Sequence, residues 1–414
     1  MNILFIHQNF PGQYVHIVRA LARQGGHQLV ALGLKPRSAN CPDGVHYHQY
    51  RLARGNAEGV HWLASETEAK VIRAEACAQA AHQLKSQGFK PDLICAHPGW
   101  GESLFLPDVW PEVPLLAYQE FFYQPRGLDT DFDPELQDKN DWPSCAKVRM
   151  KNAYLNLALQ AAAWNVSPTA FQRSTFPLSD QQRMSTIHDG IDVALAAPEP
   201  APAPFSLADG TRLQKGEPIV TFVNRSLEPY RGCHTFLRAI PALQRLVPDA
   251  RIVIVGATKG VSYGAACPQG EWRERFLAEI EGQYDPARVH FTGTLAYEHF
   301  LPLLRLSACH VYLTYPFVLS WSLLEAMSCA CPVVGSATAP VQEVIRDGHN
   351  GLLVDFFSPS ALAEAMADLL RSPERAAALG RAARETVLRD YSLDACLPRQ
   401  LQLINLVASR AIGG

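Results

Sequence analysis

Nowhere does this chain hold the roughly 18 uninterrupted apolar residues that a membrane-spanning helix needs. Nor do its charges lean to one sign: 37 lysines and arginines stand against 40 aspartates and glutamates. The first absence argues against an integral membrane protein. The second, with no basic run interleaved with aromatics, argues against nucleic acid as a partner. The ten cysteines form no C-x-x-C pair and no zinc-like spacing, so reduced thiols and no structural metal are expected. The opening MNILFIHQNFPG lacks a basic leader and its apolar run stops at His7, which reads as a first strand and not as a signal peptide. A soluble, cytoplasmic protein is expected. Neither half carries G-x-G-x-x-G after its first strand, which argues against a dinucleotide-dependent dehydrogenase.

What the chain does have is alternation. NILFIH is followed by a Pro-Gly turn and by QYVHIVRALARQ, where Tyr14, Ile17, Val18, Leu21 and Ala22 recur at helical spacing before Gly25 and Gly26 end the run. QLVAL, PDLICAH, PLLAYQE, AWNVSP and MSTIHDGID supply further strands. Residues 196–204, AAPEPAPAP, carry four prolines and suit neither a helix nor a central strand. A second series follows: PIVTFVN, a helix over 233–247, ARIVIVG, RVHFTG, HVYLTY, PVVG and GLLVDF, with helices expected at 320–330, 338–347, 359–371 and 373–389. This pattern predicts an α/β protein of two doubly wound, parallel-sheet, Rossmann-like domains facing a cleft. The expected bounds are 1–197 for the first domain, 198–209 for a proline-rich linker and 210–391 for the second, with a helix in 392–414 crossing back to the first.

Several polar residues are expected at the carboxyl ends of these strands. Arg225 follows a strand directly, and Arg231 precedes Gly232 and a helix start; two guanidinium groups beside free helix amides suit a diphosphate. Surface arginines pairing with Glu228 or solvent are the plainer explanation for a random pair, but position at a strand's carboxyl end favours the diphosphate. Glu325 is the one charge in SWSLLEAMSCACPVVG. Ser322-Leu-Leu-Glu325 fits a capping box, while the amides of Ser320, Trp321 and Ser322 beside such an acid would also suit a phosphate and a ribose diol. Both readings stand on the residues alone. His97 and Glu102, in AHPGWGE, are candidate acceptor contacts, with a turn histidine as the alternative. Asp129, Asp131 and Asp133 satisfy D-x-D spacing but read as loop acids, and His7 reads as either a satisfied histidine or a cleft residue.

The block FVNRSLEPYRG … IVIVG … VHFTG … YPFVLSWSLLEAMSCACPVVGSATAPVQEVIRDGHNGLLVDF resembles the second domain of the GT-B retaining glycosyltransferases of family 4. The resemblance implies transfer of a sugar, with retention and without a metal or other cofactor, from a nucleoside-diphosphate sugar to a hydroxyl of a glycan, lipid-linked or small-molecule acceptor. It implies that Arg225 and Arg231 clamp the diphosphate as catalytic groups, that Glu325 accepts the ribose hydroxyls, that backbone near Leu295 meets the base, and that Gly12 belongs to a glycine loop approaching the donor. Phe317 stands where the family carries an acid on the donor sugar, and Glu120 stands about where it carries a histidine. Glu120 is therefore expected to take over part of the sugar recognition. A GT-B epimerase acting on a UDP-sugar and a catalytically silent nucleotide-sugar-binding subunit are the alternatives. Arg19 and Arg23 suit either peripheral contact with anionic lipid at the inner membrane face or a solvated helix face. Base, sugar, acceptor, linkage and oligomeric state stay open.

Overall fold

The computed structural model describes residues 1–136 and 141–413 of the chain. They form two compact units, Met1–Gly190 with Leu393–Gly414, and Ile191–Ser392. Gly414, the last residue of the expected crossing segment, lies outside the described residues.

The first unit is built on seven parallel strands: β1 (Asn2–Ile6), β2 (Gln28–Gly33), β3 (Val45–Gln49), β4 (Leu93–Ala96), β5 (Leu115–Tyr118), β6 (Trp164–Ser167) and β7 (Met184–Thr186). Their order in the sheet is β3-β2-β1-β4-β5-β6-β7. The central strands β1, β4 and β5 are apolar apart from Asn2 at the start of β1, because both faces are covered. On one face Ile3 and Phe5 pack with Val18 and Leu21 of the helix Val15–Gln24 and with Leu403, Ile404 and Val407 of the helix Leu393–Ala408. On the other, Leu4 and Ile6 pack with Cys77 and Ala81 of the helix Ser65–Ser86.

The second unit opens with a short antiparallel pair, β8 (Phe205–Ser206) and β9 (Arg212–Leu213). Six parallel strands follow: β10 (Ile219–Ser226), β11 (Arg251–Ala257), β12 (Val289–Gly293), β13 (Cys309–Tyr312), β14 (Val333–Ser336) and β15 (Leu352–Val354). Their order is β12-β11-β10-β13-β14-β15. Both sheets reverse strand order beside their first strand, between β1 and β4 and between β10 and β13. In doubly wound sheets such reversal points open a crevice beyond the carboxyl ends of the strands.

The proline-rich stretch is not where the chain passes between units; that point is Gly190–Ile191. Residues 193–197 are strapped to the second unit, since Arg305 donates to the carbonyls of Leu195 and Ala197 at 2.9 Å each and Arg384 Nη2 to that of Val193 at 3.4 Å. Leu207 and Leu213 then enter that unit's core. Prolines forbid regular structure there, but they do not forbid packing. The helices expected at 338–347 and 320–330 are shorter, Ala339–Gln342 and Trp321–Ser328.

Candidate functional site

In the second unit a cavity of about 420 Å³ opens at the strand-order reversal, lined among others by Arg225, Glu228, Arg231, Tyr263, Leu295, Tyr297, Ser320 and Ser322. Its floor is shaped by one glycine. Gly232 has φ of +69°, and a Cβ there would stand 2.4 Å from Cβ of Leu313. The turn Pro229–Arg231 can therefore lie against the strand end and start the helix Cys233–Leu246 beside it.

Arg231 is buried, and its Nη1 donates to Thr314 Oγ1 at 2.8 Å, to Val318 O at 2.9 Å and to Tyr312 Oη at 3.2 Å. Its guanidinium carbon lies 5.1 Å from the ring centre of Tyr263 and 5.7 Å from that of Phe317. Arg225 lines the same cavity from the exposed end of β10. Two guanidinium groups thus border one cavity.

Glu228, also in the lining, is not a surface partner for them. It is fully buried, and Oε2 accepts the amides of Ser262 and Tyr263, the latter at 3.0 Å, pinning the loop that carries Tyr263. Burial pushes its carboxyl up, opposed by those two amides and then by Arg231 and Arg225. Its second oxygen, Oε1, is buried without a partner.

The expected donor contact Glu325 does not itself line the cavity; Tyr297 does, and its hydroxyl donates to Glu325 Oε1 at 2.6 Å. Glu325 is 8% exposed; burial raises its carboxyl and the Tyr297 bond pulls it back. The capping-box expectation is corrected here. The cap of Trp321–Ser328 is Ser320, whose side chain accepts the Ser322 amide, so Glu325 lies two residues past the position a box requires. A second correction concerns the amides expected to be open to an anion. That of Ser320 donates to Tyr312 Oη at 2.8 Å and that of Ser322 to Ser320 Oγ at 3.3 Å. The serine side chains line the cavity, while Trp321 packs against the core.

In the first unit a separate cluster forms where β1 and β4 end. Gly12 has φ of +50°, and a Cβ there would stand 2.2 Å from Cε1 of His7. His7 Nδ1 accepts the Asn9 amide at 3.0 Å, which leaves Nε2–H to donate to Gln13 Oε1 at 2.7 Å; Gln13 Nε2 in turn donates to Glu120 Oε1 at 3.1 Å. His97 accepts the Gly99 amide through Nδ1 and is stacked on Trp100, ring centres 4.6 Å apart. Its Nε2 is 3.8 Å from Glu120 Oε2, beyond hydrogen-bond reach. Burial lowers both imidazoles, His7 to about 4, so they are neutral near pH 7. Glu102 does not belong to this surface: it is fully buried and accepts from Tyr50 Oη at 2.7 Å.

Asp131 and Asp133 accept backbone amides within their own loop. Among the described residues no group of three or more His, Cys, Asp or Glu side chains is gathered to hold a metal ion, and no helix is long and apolar enough to cross a membrane. Sequence reasoning placed Arg225, Arg231, Leu295, Ser320 and Ser322 on what is one cavity. It missed Tyr297, Tyr263 and Gln13, and it named Glu228 only as a partner for surface arginines in the plainer reading, not as a buried acid of the cavity wall.

Residues 25–196 match the model of the Glycosyl transferase family 4 group, and residues 207–386 that of Glycosyl transferases group 1. The chain is 30% identical over 250 residues to alpha-maltose-1-phosphate synthase of Mycolicibacterium smegmatis, covering 57% of this chain and 60% of that one. It is 32% identical over 237 residues to D-inositol 3-phosphate glycosyltransferase of Mycolicibacterium paratuberculosis, covering 56% and 50%. It therefore spans about half the length of the curated relatives it matches. Two solved structures share the fold over nearly the whole chain. Sucrose-phosphate synthase from Thermosynechococcus elongatus has a TM-score of 0.70 at 18% identity, covering 99% and 100%. Anabaena HepE in complex with UDP-glucose has 0.67 at 16%, covering 98% and 99%.

Proposed function

This chain belongs to the glycosyl transferases of group 1, and on that premise we propose that it moves a sugar from a nucleoside-diphosphate sugar to an acceptor hydroxyl with retention at the anomeric carbon. The observation that carries the reading is that Arg225 and Arg231 line one cavity together with Tyr297, whose hydroxyl donates to Glu325. As the bond from anomeric carbon to phosphate oxygen breaks, the departing diphosphate gains negative charge. Guanidinium groups held in place before reaction stabilise that charge without reorganising. The acceptor oxygen bonds to the anomeric carbon from the same face, and its proton passes to the departing phosphate, so no protein nucleophile is required. Glu325 holds the ribose hydroxyls, in competition with Tyr297. Glu120, oriented by Gln13, contacts the transferred sugar. No metal is needed for this charge balance.

A small phosphorylated acceptor is supported by the names of the relatives and by Lys70 of the first unit. Its ammonium, largely buried, donates to Gly99 O at 3.0 Å, beside His97. A second reading, a subunit that binds the nucleotide sugar without turning it over, is supported by Phe317, which lies buried edge-on to Tyr230 and Tyr263. One assay tests both: the chain is offered UDP-, GDP- and ADP-sugars with and without phosphorylated polyols. Consumption of donor only with acceptor supports transfer, and binding without consumption supports the silent subunit. Conversion of the donor's sugar without acceptor would overturn both in favour of an epimerase.

A further inference from the structure

The second unit holds another cavity, of about 600 Å³, lined by the edge strand β12 on one side and by residues 204–209 on the other. Phe205, Leu207 and Phe291 supply its apolar surface; Asp209, His290 and His299 supply most of its polar groups. Among the described residues its lining includes no lysine and no arginine.

One imidazole in this lining is partnered at a single nitrogen. His290 is 8% exposed, and its Nδ1 lies 2.8 Å from Oδ2 of Asp209. The other oxygen of Asp209 accepts the amide of Thr211 at 2.8 Å. That bond and the one to His290 hold the Asp209 carboxyl down to about 2, so it is an anion and the shared proton sits on Nδ1. The ring's other nitrogen is Nε2. It is buried, and it has no hydrogen-bond partner. A buried ring nitrogen left without a partner is unfavourable, and a hydroxyl, which can both donate and accept, corrects it.

We propose that this cavity is a second ligand site, for a neutral saccharide, in which a hydroxyl hydrogen-bonds to Nε2 of His290 while a face of the sugar ring lies against Phe205 and His299. Three features select that chemistry. A lining without cationic side chains disfavours phosphates and nucleotides, and the Asp209 carboxylate repels any anion. The rings of Phe205 and His299 stand edge to face, centres 6.3 Å apart, and present apolar surface of the kind that the C–H face of a sugar covers. A few convergent polar groups on a mainly apolar wall then fix the hydroxyl edge. Leu295 lines this cavity and the nucleotide cavity alike, so an occupant here presses on a side chain that borders the other site. The site does not depend on the function proposed above.

The test is ligand-observed NMR on the full chain with glucose, mannose, maltose and myo-inositol, each with and without saturating UDP. At least one of them is expected to bind, and to stay bound when UDP is added. That signal should fall about tenfold, the weight of one hydrogen bond, in His290→Phe and again in Ser206→Trp, which adds bulk to the lining; His290→Gln should recover part of it. UDP binding by each variant shows that the unit is folded, and Ser206→Trp decides if His290→Phe is not. The proposal is overturned if none of these sugars binds, if UDP displaces them, or if folded variants keep the full signal. Sugar binding that the variants abolish, in a chain that fails to bind any nucleoside diphosphate, would uphold this site and remove the reading of the other cavity.

Discussion

At Arg231 the guanidinium is already committed on one side before any ligand arrives: Nη1 is held by Thr314, Val318 and Tyr312, and the plane lies near the rings of Tyr263 and Phe317. A lysine would keep the charge but could not hold those bonds and offer a flat donor edge together. Arg231→Lys is expected to weaken nucleoside-diphosphate binding by about 10- to 100-fold, the weight of a charge-assisted pair. Calorimetry with UDP, GDP and ADP checks it; unchanged affinity would remove Arg231 from the clamp. Tyr297→Phe acts differently. Without the Tyr297 hydroxyl, only the burial that raises the Glu325 carboxyl remains. The carboxylate must be ionised to accept ribose hydroxyls, so nucleotide affinity in the variant should fail at a higher pH on the acid side. A profile of UDP affinity between pH 5 and 8 reads this, and an unmoved acid limb contradicts it. Arg225 was legible because it follows an apolar strand run, Arg231 because it precedes a glycine and a helix start, and Glu325 because it is the one charge in an apolar stretch. The Tyr297 bond was not, since the two residues are 28 positions apart and nothing local couples them.

At the scale of elements, the turn after β10 depends on Gly232. Gly232→Ala would place a Cβ against Leu313 in a left-handed conformation. It should destabilise the second unit by about 2–4 kcal/mol, from strain and overpacking together. Chemical denaturation followed by the near-UV signal measures it, and a loss well under 1 kcal/mol would mean that the strand end yields easily. The central strands of both sheets were legible as continuous apolar runs. The helix Ser65–Ser86, the longest in the chain, was not. Its inward positions include Ala74, Ala76, Cys77 and Ala81, residues too small to stand out as an apolar stripe. Strand β3 was missed for a related reason: it is an edge strand whose sequence, VHYHQ, is mostly polar. The proline-rich stretch misled because composition reports what a backbone cannot form, not what it packs against.

At the scale of the whole molecule, the two units differ in how they are closed. The second is continuous in sequence, whereas the first includes residues 393–413 as well as its own beginning. Leu403, Ile404 and Val407 of that last helix are buried against the first sheet, each contributing about 1.5–3 kcal/mol. Gln400 adds a bond of 2.8 Å to the carbonyl of His188. A chain ending at Ser392 should therefore lose protection throughout residues 1–190 and keep it in 191–392. Hydrogen exchange read by mass spectrometry distinguishes the two, and equal protection in both segments would contradict it. The crossing helix was legible from its amphipathic spacing and its place after the last strand, as was the doubled α/β pattern.

That closure has a consequence for how the protein is made. A ribosome releases residues 1–190 first, but it holds back the piece that seals their apolar sheet until some two hundred further residues have emerged. The domain begun first is thus completed last, behind a neighbour with no such wait. In the interval its open face is a surface that a chaperone or another nascent polypeptide can occupy.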